Sequence, residues 1–146
     1  SPCAEELGDC FRSEIEAAPG IDAKEWGTGL QIADIRQVVA VSGPYNIEAL
    51  AHVLQARGLP LQLVAALMGN LRRSSPVARV REMKPLAVAL LPPVLLYHGT
   101  NDHTVPYTQS EEMAETLQSV GARASIQLFA GKSHTDPILE DPAELG

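Results

Sequence analysis

P-P-V-L-L-Y-H-G-T-N-D-H-T-V-P, residues 92–106, is the stretch whose reading decides the fold. Pro93-Val94-Leu95-Leu96-Tyr97 is short and apolar throughout, which is the pattern of a strand covered on both faces in a parallel sheet. It runs straight into a polar turn that holds His98, Asp102 and His103, with Gly99, Thr100 and Asn101 tolerating turn geometry between them. Asp102 is open to two readings. It can be a carboxylate that bonds its own turn, or one member of a catalytic set whose partners lie elsewhere.

The flanking sequence supplies the frame. Upstream, Gln37-Val38-Val39-Ala40-Val41-Ser42 reads as another strand buried in a parallel sheet and stopped by Gly43-Pro44. Asn46 can cap a helix with Ile47, Leu50 and Leu54 on one face, Arg57 in the last turn and Gly58 just past it. Pro60 can open a second helix carrying Leu61, Val64 and Met68 and ending near Gly69-Asn70, and Ser75-Pro76 a short one reaching Met83. Downstream, Thr108 with Glu111 three residues on predicts a capping box, and Met113, Leu117 and Val120 form the apolar stripe of a helix ended by Gly121. Ser125–Phe129 reads as a third strand, followed by Ala130-Gly131-Lys132-Ser133-His134. Strand, helices, strand, helix, strand implies parallel strands joined by right-handed helical crossovers, so the fold class is α/β.

A chain of 146 residues with 45% hydrophobic content is long enough for one domain with a core. Residues 1–36, acidic and broken by Pro19-Gly20 and Gly27-Thr28-Gly29 around a lone Trp26, read as a helix tail and a loop; residues 37–146 carry three strands and their helices. The net charge of −7 argues against a nucleic-acid partner, and Arg72-Arg73 reads as a solvated loop. Cys3 and Cys10 fit free thiols better than a disulfide, though their spacing allows either. There is no run of about 18 apolar residues, and Ser1-Pro2-Cys3 has neither a basic leader nor an initiator Met, so the chain is expected to be a piece of a longer one. No two of the four histidines have the i, i+4 spacing of a helical zinc motif, and neither a metal nor another cofactor is expected.

In an open parallel sheet, sites collect outside the carboxyl ends of the strands. Asp102 follows the second strand and His134 the third, 32 positions later, with one helix and one strand between them. That interval is the unit needed to set two adjacent strand ends side by side. Asp102 could then accept a bond from His134 Nδ1–H, fix the imidazole tautomer and stabilise the imidazolium formed when Nε2 takes a proton. The order Asp then His is that of an α/β-hydrolase, whose serine sits in G-x-S-x-G. Ser42, in Ala40-Val41-Ser42-Gly43-Pro44, lacks both glycines, and Ser133, in Gly131-Lys132-Ser133-His134-Thr135, lacks the second glycine and the strand-to-helix context. No HGGG-like stretch offers an oxyanion hole, so the nucleophile is expected upstream of this sequence.

Val41-Ser42-Gly43-Pro44-Tyr45-Asn46-Ile47, Leu91–Asp102, Val105-Pro106 and Gly131-Lys132-Ser133-His134-Thr135-Asp136-Pro137 together resemble the C-terminal part of isoprenylcysteine methylesterases, a branch of the carboxylesterase-type α/β-hydrolases. The resemblance covers roughly residues 36–142. It implies a partial α/β-hydrolase domain over residues 1–146, hydrolysis of the methyl ester on a prenylated C-terminal cysteine, Asp102 as triad acid and His134 as general base. It also implies a serine, oxyanion glycines and membrane segments outside this sequence, and residence in endoplasmic reticulum and Golgi membranes. The alternatives are a general carboxylesterase acting on small acyl esters and a non-catalytic α/β module that binds a partner.

The remaining candidates have plainer readings. His98 is expected to order the corner between strand and turn, His103 to be a solvated loop residue, and His52 is given no role. Tyr45 and Asn46 could line a pocket or could pack and cap a helix. The apolar helices between Ile47 and Met68 could cover an acyl or prenyl pocket or simply cover the sheet.

Overall fold

Three parallel strands set the frame of the computed structural model, which describes residues 34–139. They are β1 (Val38–Val41), β2 (Val94–Gly99) and β3 (Ala124–Phe129), in the spatial order β1-β2-β3. Val38 pairs with Val94 and Val94 with Ala124, so the strands run in step and their carboxyl ends emerge on one rim. The α/β class with parallel strands and helical crossovers is therefore what the chain adopts.

Two features of the sheet differ from the sequence expectation. The composition of β1 predicts cover on both faces, yet Val38 and Val39 are 38% and 43% exposed, and β1 is the edge of the sheet among the described residues. A run of β-branched residues marks a strand without stating its place in the sheet. β2 continues past Tyr97 through His98 and Gly99, which pair with Leu128 and Phe129 of β3. His98 is thus a strand residue.

Between β1 and β2 lie α1 (Ile47–Ala56), α2 (Leu61–Met68), α3 (Pro76–Arg81) and α4 (Pro85–Val88). Asn46 caps α1 as expected, its side-chain oxygen accepting the Ala49 N–H at 3.0 Å, and Gly58 ends the turn at φ +92°. α4 is an addition to the expected elements; Pro85 opens it, its fixed φ suiting the first helical position. α5 (Thr108–Ser119) joins β2 to β3, and α6 (Asp136–Leu139) follows β3. The capping box expected at Thr108 does not form. Tyr107 occupies the cap position with helical backbone and no side-chain cap, and its carbonyl already accepts the Ser110 and Glu111 N–H groups. Thr108 is one residue too far into the helix to cap it.

Leu96, in the middle of the central strand, is fully buried against Tyr45, Val77, Val80, Ala114 and Leu117. Ala114 and Leu117 come from the α5 face that lies on the sheet, and Met113 and Val120 flank them. Burying one leucine side chain contributes about 1.5–3 kcal/mol, and truncating it also leaves a cavity. Leu96→Ala is expected to lower stability by about 2–5 kcal/mol, read as a lower urea midpoint at unchanged slope.

Candidate active site

The turn after β2 is built around Asp102. Its N–H reaches back to the Gly99 carbonyl at 3.2 Å, and its Oδ1 accepts the N–H groups of Thr104 (2.7 Å) and Val105 (2.9 Å). That much is the turn-bonding role. Oδ2 faces away from the turn amides and toward two imidazoles, accepting from His134 Nδ1 at 2.6 Å and from His98 Nε2 at 3.0 Å. The two readings of Asp102 therefore describe two oxygens of one carboxylate.

The loop that carries His134 is strapped to the end of β2. Thr100 N–H donates to the Phe129 carbonyl at 2.9 Å, Asn101 N–H to the Lys132 carbonyl at 3.0 Å, and Gly131 N–H to Thr100 Oγ1 at 2.9 Å. Gly131 makes the bend at φ +73°, a region open to glycine. Beyond the bend, Ser133 N–H donates to Asp136 Oδ2 at 2.7 Å. The backbone and side-chain hydrogen bonds of Ser133, helped by the Lys132 charge, hold the Asp136 carboxyl below its usual range against a small burial penalty. Asp136, the acid of GKSHTD, thereby closes the turn in which His134 sits.

The electrostatics follow from this wiring. Burial pushes the Asp102 carboxyl up, but the hydrogen bonds from His134 and from the Val105 and Thr104 amides, with the His134 charge, outweigh it and hold the carboxyl below its usual range. Asp102 is an anion at neutral pH, with a side chain sealed from solvent, while the His134 side chain is 38% exposed. With Nδ1 donating to the carboxylate, Nε2 is the acceptor nitrogen of the neutral His134 ring, the arrangement a general base requires.

The other candidates fall outside this pair. Asn46 Nδ2 donates to both oxygens of Glu112 at 3.0 and 2.9 Å, so Asn46 caps and ties rather than lines a pocket. Tyr45 packs in the core with its hydroxyl buried; burial raises its pKa despite the nearby Gly43 backbone and Ser110, and neither lies in hydrogen-bonding geometry. Ser42 follows β1 at φ +51° with a buried hydroxyl that has no partner, and Ser133 is held by its amide to Asp136. His52 and His103 are exposed. Leu63, Leu67 and Met68 of α2 are exposed; the helix packs against α1 and buries Val64, leaving part of its apolar surface uncovered. Among the described residues no group of His, Cys, Asp and Glu could hold a metal ion. Cys3, Cys10, Trp26 and the helix tail expected before Asp34 lie outside the described residues.

Sequence reasoning passes over Ser110 and Gln109 at this rim and gives His98 only the ordering of a corner. His98 is completely buried, and Ser110 and Gln109 are buried near it at the start of α5. Gln109 Oε1 accepts the N–H groups of Tyr45 (3.1 Å) and Asn46 (2.6 Å), fastening the segment after β1 to α5. The one available signal is the i, i+4 spacing of His98 and Asp102 across a turn.

Residues 48–141, more than half of the chain, match the model of the prolyl oligopeptidase family. The chain belongs to that family. As members of it do, it has an α/β-hydrolase fold, with the acid and base candidates at the carboxyl ends of neighbouring parallel strands. It is also similar to isoprenylcysteine alpha-carbonyl methylesterases. It is 34% identical over 119 residues to the enzyme so named in Arabidopsis thaliana, covering 79% of this chain and 28% of that one. To a probable one in Oryza sativa subsp. japonica it is 36% identical over 118 residues, again 79% and 28%. The chain thus spans little more than a quarter of the length of these relatives. Among solved structures it is similar in fold to the apo form of Thermogutta terrifontis esterase 2 (TM-score 0.54, 21% identity, 82% of this chain and 38% of that one). It is likewise similar to Pyrococcus horikoshii acylaminoacyl peptidase (TM-score 0.54, 20% identity, 75% and 17%).

Proposed function

We propose that this chain carries the acid and base of a carboxylic ester hydrolase whose serine nucleophile is supplied by sequence outside these 146 residues. The observation that carries the reading is the 2.6 Å contact between His134 Nδ1 and a saturated, buried Asp102, which leaves Nε2 free to act as the base. His134 takes the serine proton as the hydroxyl oxygen bonds to the ester carbonyl carbon. It then returns that proton to the departing alcohol, and an acyl-enzyme remains. Water, deprotonated by the same Nε2, adds to the acyl carbon; as the acyl–serine bond breaks, Nε2 returns that proton to the serine oxygen, and the carboxylic acid leaves as its carboxylate, its own proton passing to solvent. Asp102 stays ionised throughout and stabilises the imidazolium at each half-reaction.

For the substrate, the similarity to isoprenylcysteine alpha-carbonyl methylesterases supports a prenylated cysteine methyl ester, with methanol as the alcohol released. Action at the endoplasmic reticulum and Golgi belongs to the same proposal. No described helix is long and apolar enough to cross a membrane. The test is made on the full-length protein, with a fluorophosphonate to label the serine and with farnesylcysteine methyl ester set against short acyl esters. Labelling together with a preference for the prenylated ester is expected. Preference for short acyl chains would make it a general carboxylesterase, and neither labelling nor hydrolysis would make it a binding module.

A further inference from the structure

His134 is not the only imidazole on Asp102. His98 is fully buried in β2, and its Nε2 is 3.0 Å from Asp102 Oδ2 and also 3.0 Å from the Val105 carbonyl oxygen. A carboxylate oxygen and a carbonyl oxygen are both acceptors, so Nε2 must carry the proton and donate to both. On the other side of the ring, Nδ1 is 2.7 Å from the hydroxyl of Ser110, itself fully buried at the start of α5. With the proton on Nε2, a neutral ring accepts the Ser110 hydroxyl proton at Nδ1, and both ring nitrogens are satisfied without adding a second buried charge beside Asp102.

We propose that His98 is a positioning residue for the catalytic acid, acting with Ser110 to hold Asp102 Oδ2 in line with His134; the inference rests on the triad reading above. A carboxylate free to rotate about its last bond would present either oxygen, or neither, to His134. Here Oδ1 is pinned by two amides and Oδ2 by His98, so the rotation is blocked before His134 is engaged. The identity of the donor matters as well as its place. A cationic donor at this point would compete with the His134 imidazolium for the Asp102 charge, whereas a neutral imidazole orients the carboxylate and leaves its charge to the base. One oxygen thus serves two histidines in opposite tautomers: Nε2–H in His98 and Nδ1–H in His134.

Glutamine and asparagine separate positioning from plain packing, because the amide nitrogen of glutamine can stand near the place of Nε2 and that of asparagine near the place of Nδ1. In the full-length enzyme, His98→Gln keeps a donor for Asp102 and should retain most of kcat. His98→Asn loses that donor and should lower kcat about 10- to 100-fold with little change in KM, the scale at which residues that orient a catalytic group act. Equal kcat in the two variants, per mole of folded protein, overturns the proposal. If neither variant folds, Ser110→Ala decides: a several-fold fall in kcat is expected, and an unchanged kcat overturns it. Ring nitrogen-15 spectra of the wild-type protein give a readout free of turnover, with opposite tautomers expected and a shared tautomer overturning the proposal. Full activity in Asp102→Asn would remove the triad reading itself; a crippled Asp102→Asn beside equal variants at position 98 would remove this inference alone.

Discussion

Asp102→Asn in the full-length protein is expected to lower kcat by about 10⁴-fold with the fold preserved. The size follows from how the two oxygens are used. Oδ1 accepts the Thr104 and Val105 amides, so the amide oxygen of an asparagine must take that place. Its NH₂ group then stands where Oδ2 stood, a donor facing the His134 and His98 nitrogens that now donate to it. His134 can answer only by shifting its proton to Nε2, which leaves no base for the serine. Steady-state kinetics check this, and a kcat within tenfold of wild type would contradict it. The same variant has a signature in stability. The Asp102 carboxyl is held below the usual carboxylate range in the folded protein, so its contribution is present above the ordinary carboxylate pKa and is lost as pH falls through the lower folded value. Asp102→Asn should therefore flatten the loss of stability below about pH 4, followed by circular dichroism in an acid titration.

The parallel order and the meeting of Asp102 with His134 were legible because both depend on coarse spacing. One amphipathic helix and one strand between two strand ends leave a right-handed crossover little choice about where it delivers the second end. The rest depended on contacts that no local pattern encodes. β1 lies at the edge because nothing among the described residues pairs with its outer side, and its Val-rich composition would look the same in the centre. The end of β2 lies beyond the apolar run because His98 and Gly99 are held in the strand by Leu128 and Phe129, thirty residues away. A histidine that closes an apolar run reads as a corner; only the positions of Val105 O, Ser110 Oγ and Asp102 Oδ2 around its ring assign its proton. At Thr108 a local rule pointed to a cap, but the chain had already turned helical at Tyr107.

Gly99 is the position where a single methyl group should separate the acid from the base. A Cβ there would overlap the Lys132 carbonyl oxygen and lie 2.6 Å from the Lys132 carbonyl carbon and from the Ser133 carbonyl oxygen, closer than such atoms approach in proteins. All three are backbone atoms, so no side chain can rotate out of the way. The 131–134 loop must lift off the end of β2, straining the Asn101 N–H to Lys132 carbonyl bond and drawing His134 from Asp102. Overpacking of this kind costs about 1–3 kcal/mol, and misplacing a catalytic group by about 1 Å costs on the order of 100-fold in rate. Gly99→Ala is therefore expected to lose at least about 100-fold in kcat along with that stability. Gly58→Ala is the matched comparison. Gly58 sits at φ +92° beyond α1 with nothing near its missing Cβ, so alanine there meets backbone strain of about 1–2 kcal/mol and no clash. It should lose stability on a similar scale and keep its kcat, which separates a displaced catalytic loop from a weakened fold. A Gly99→Ala enzyme as fast as wild type would mean that the loop can leave β2 without parting His134 from Asp102.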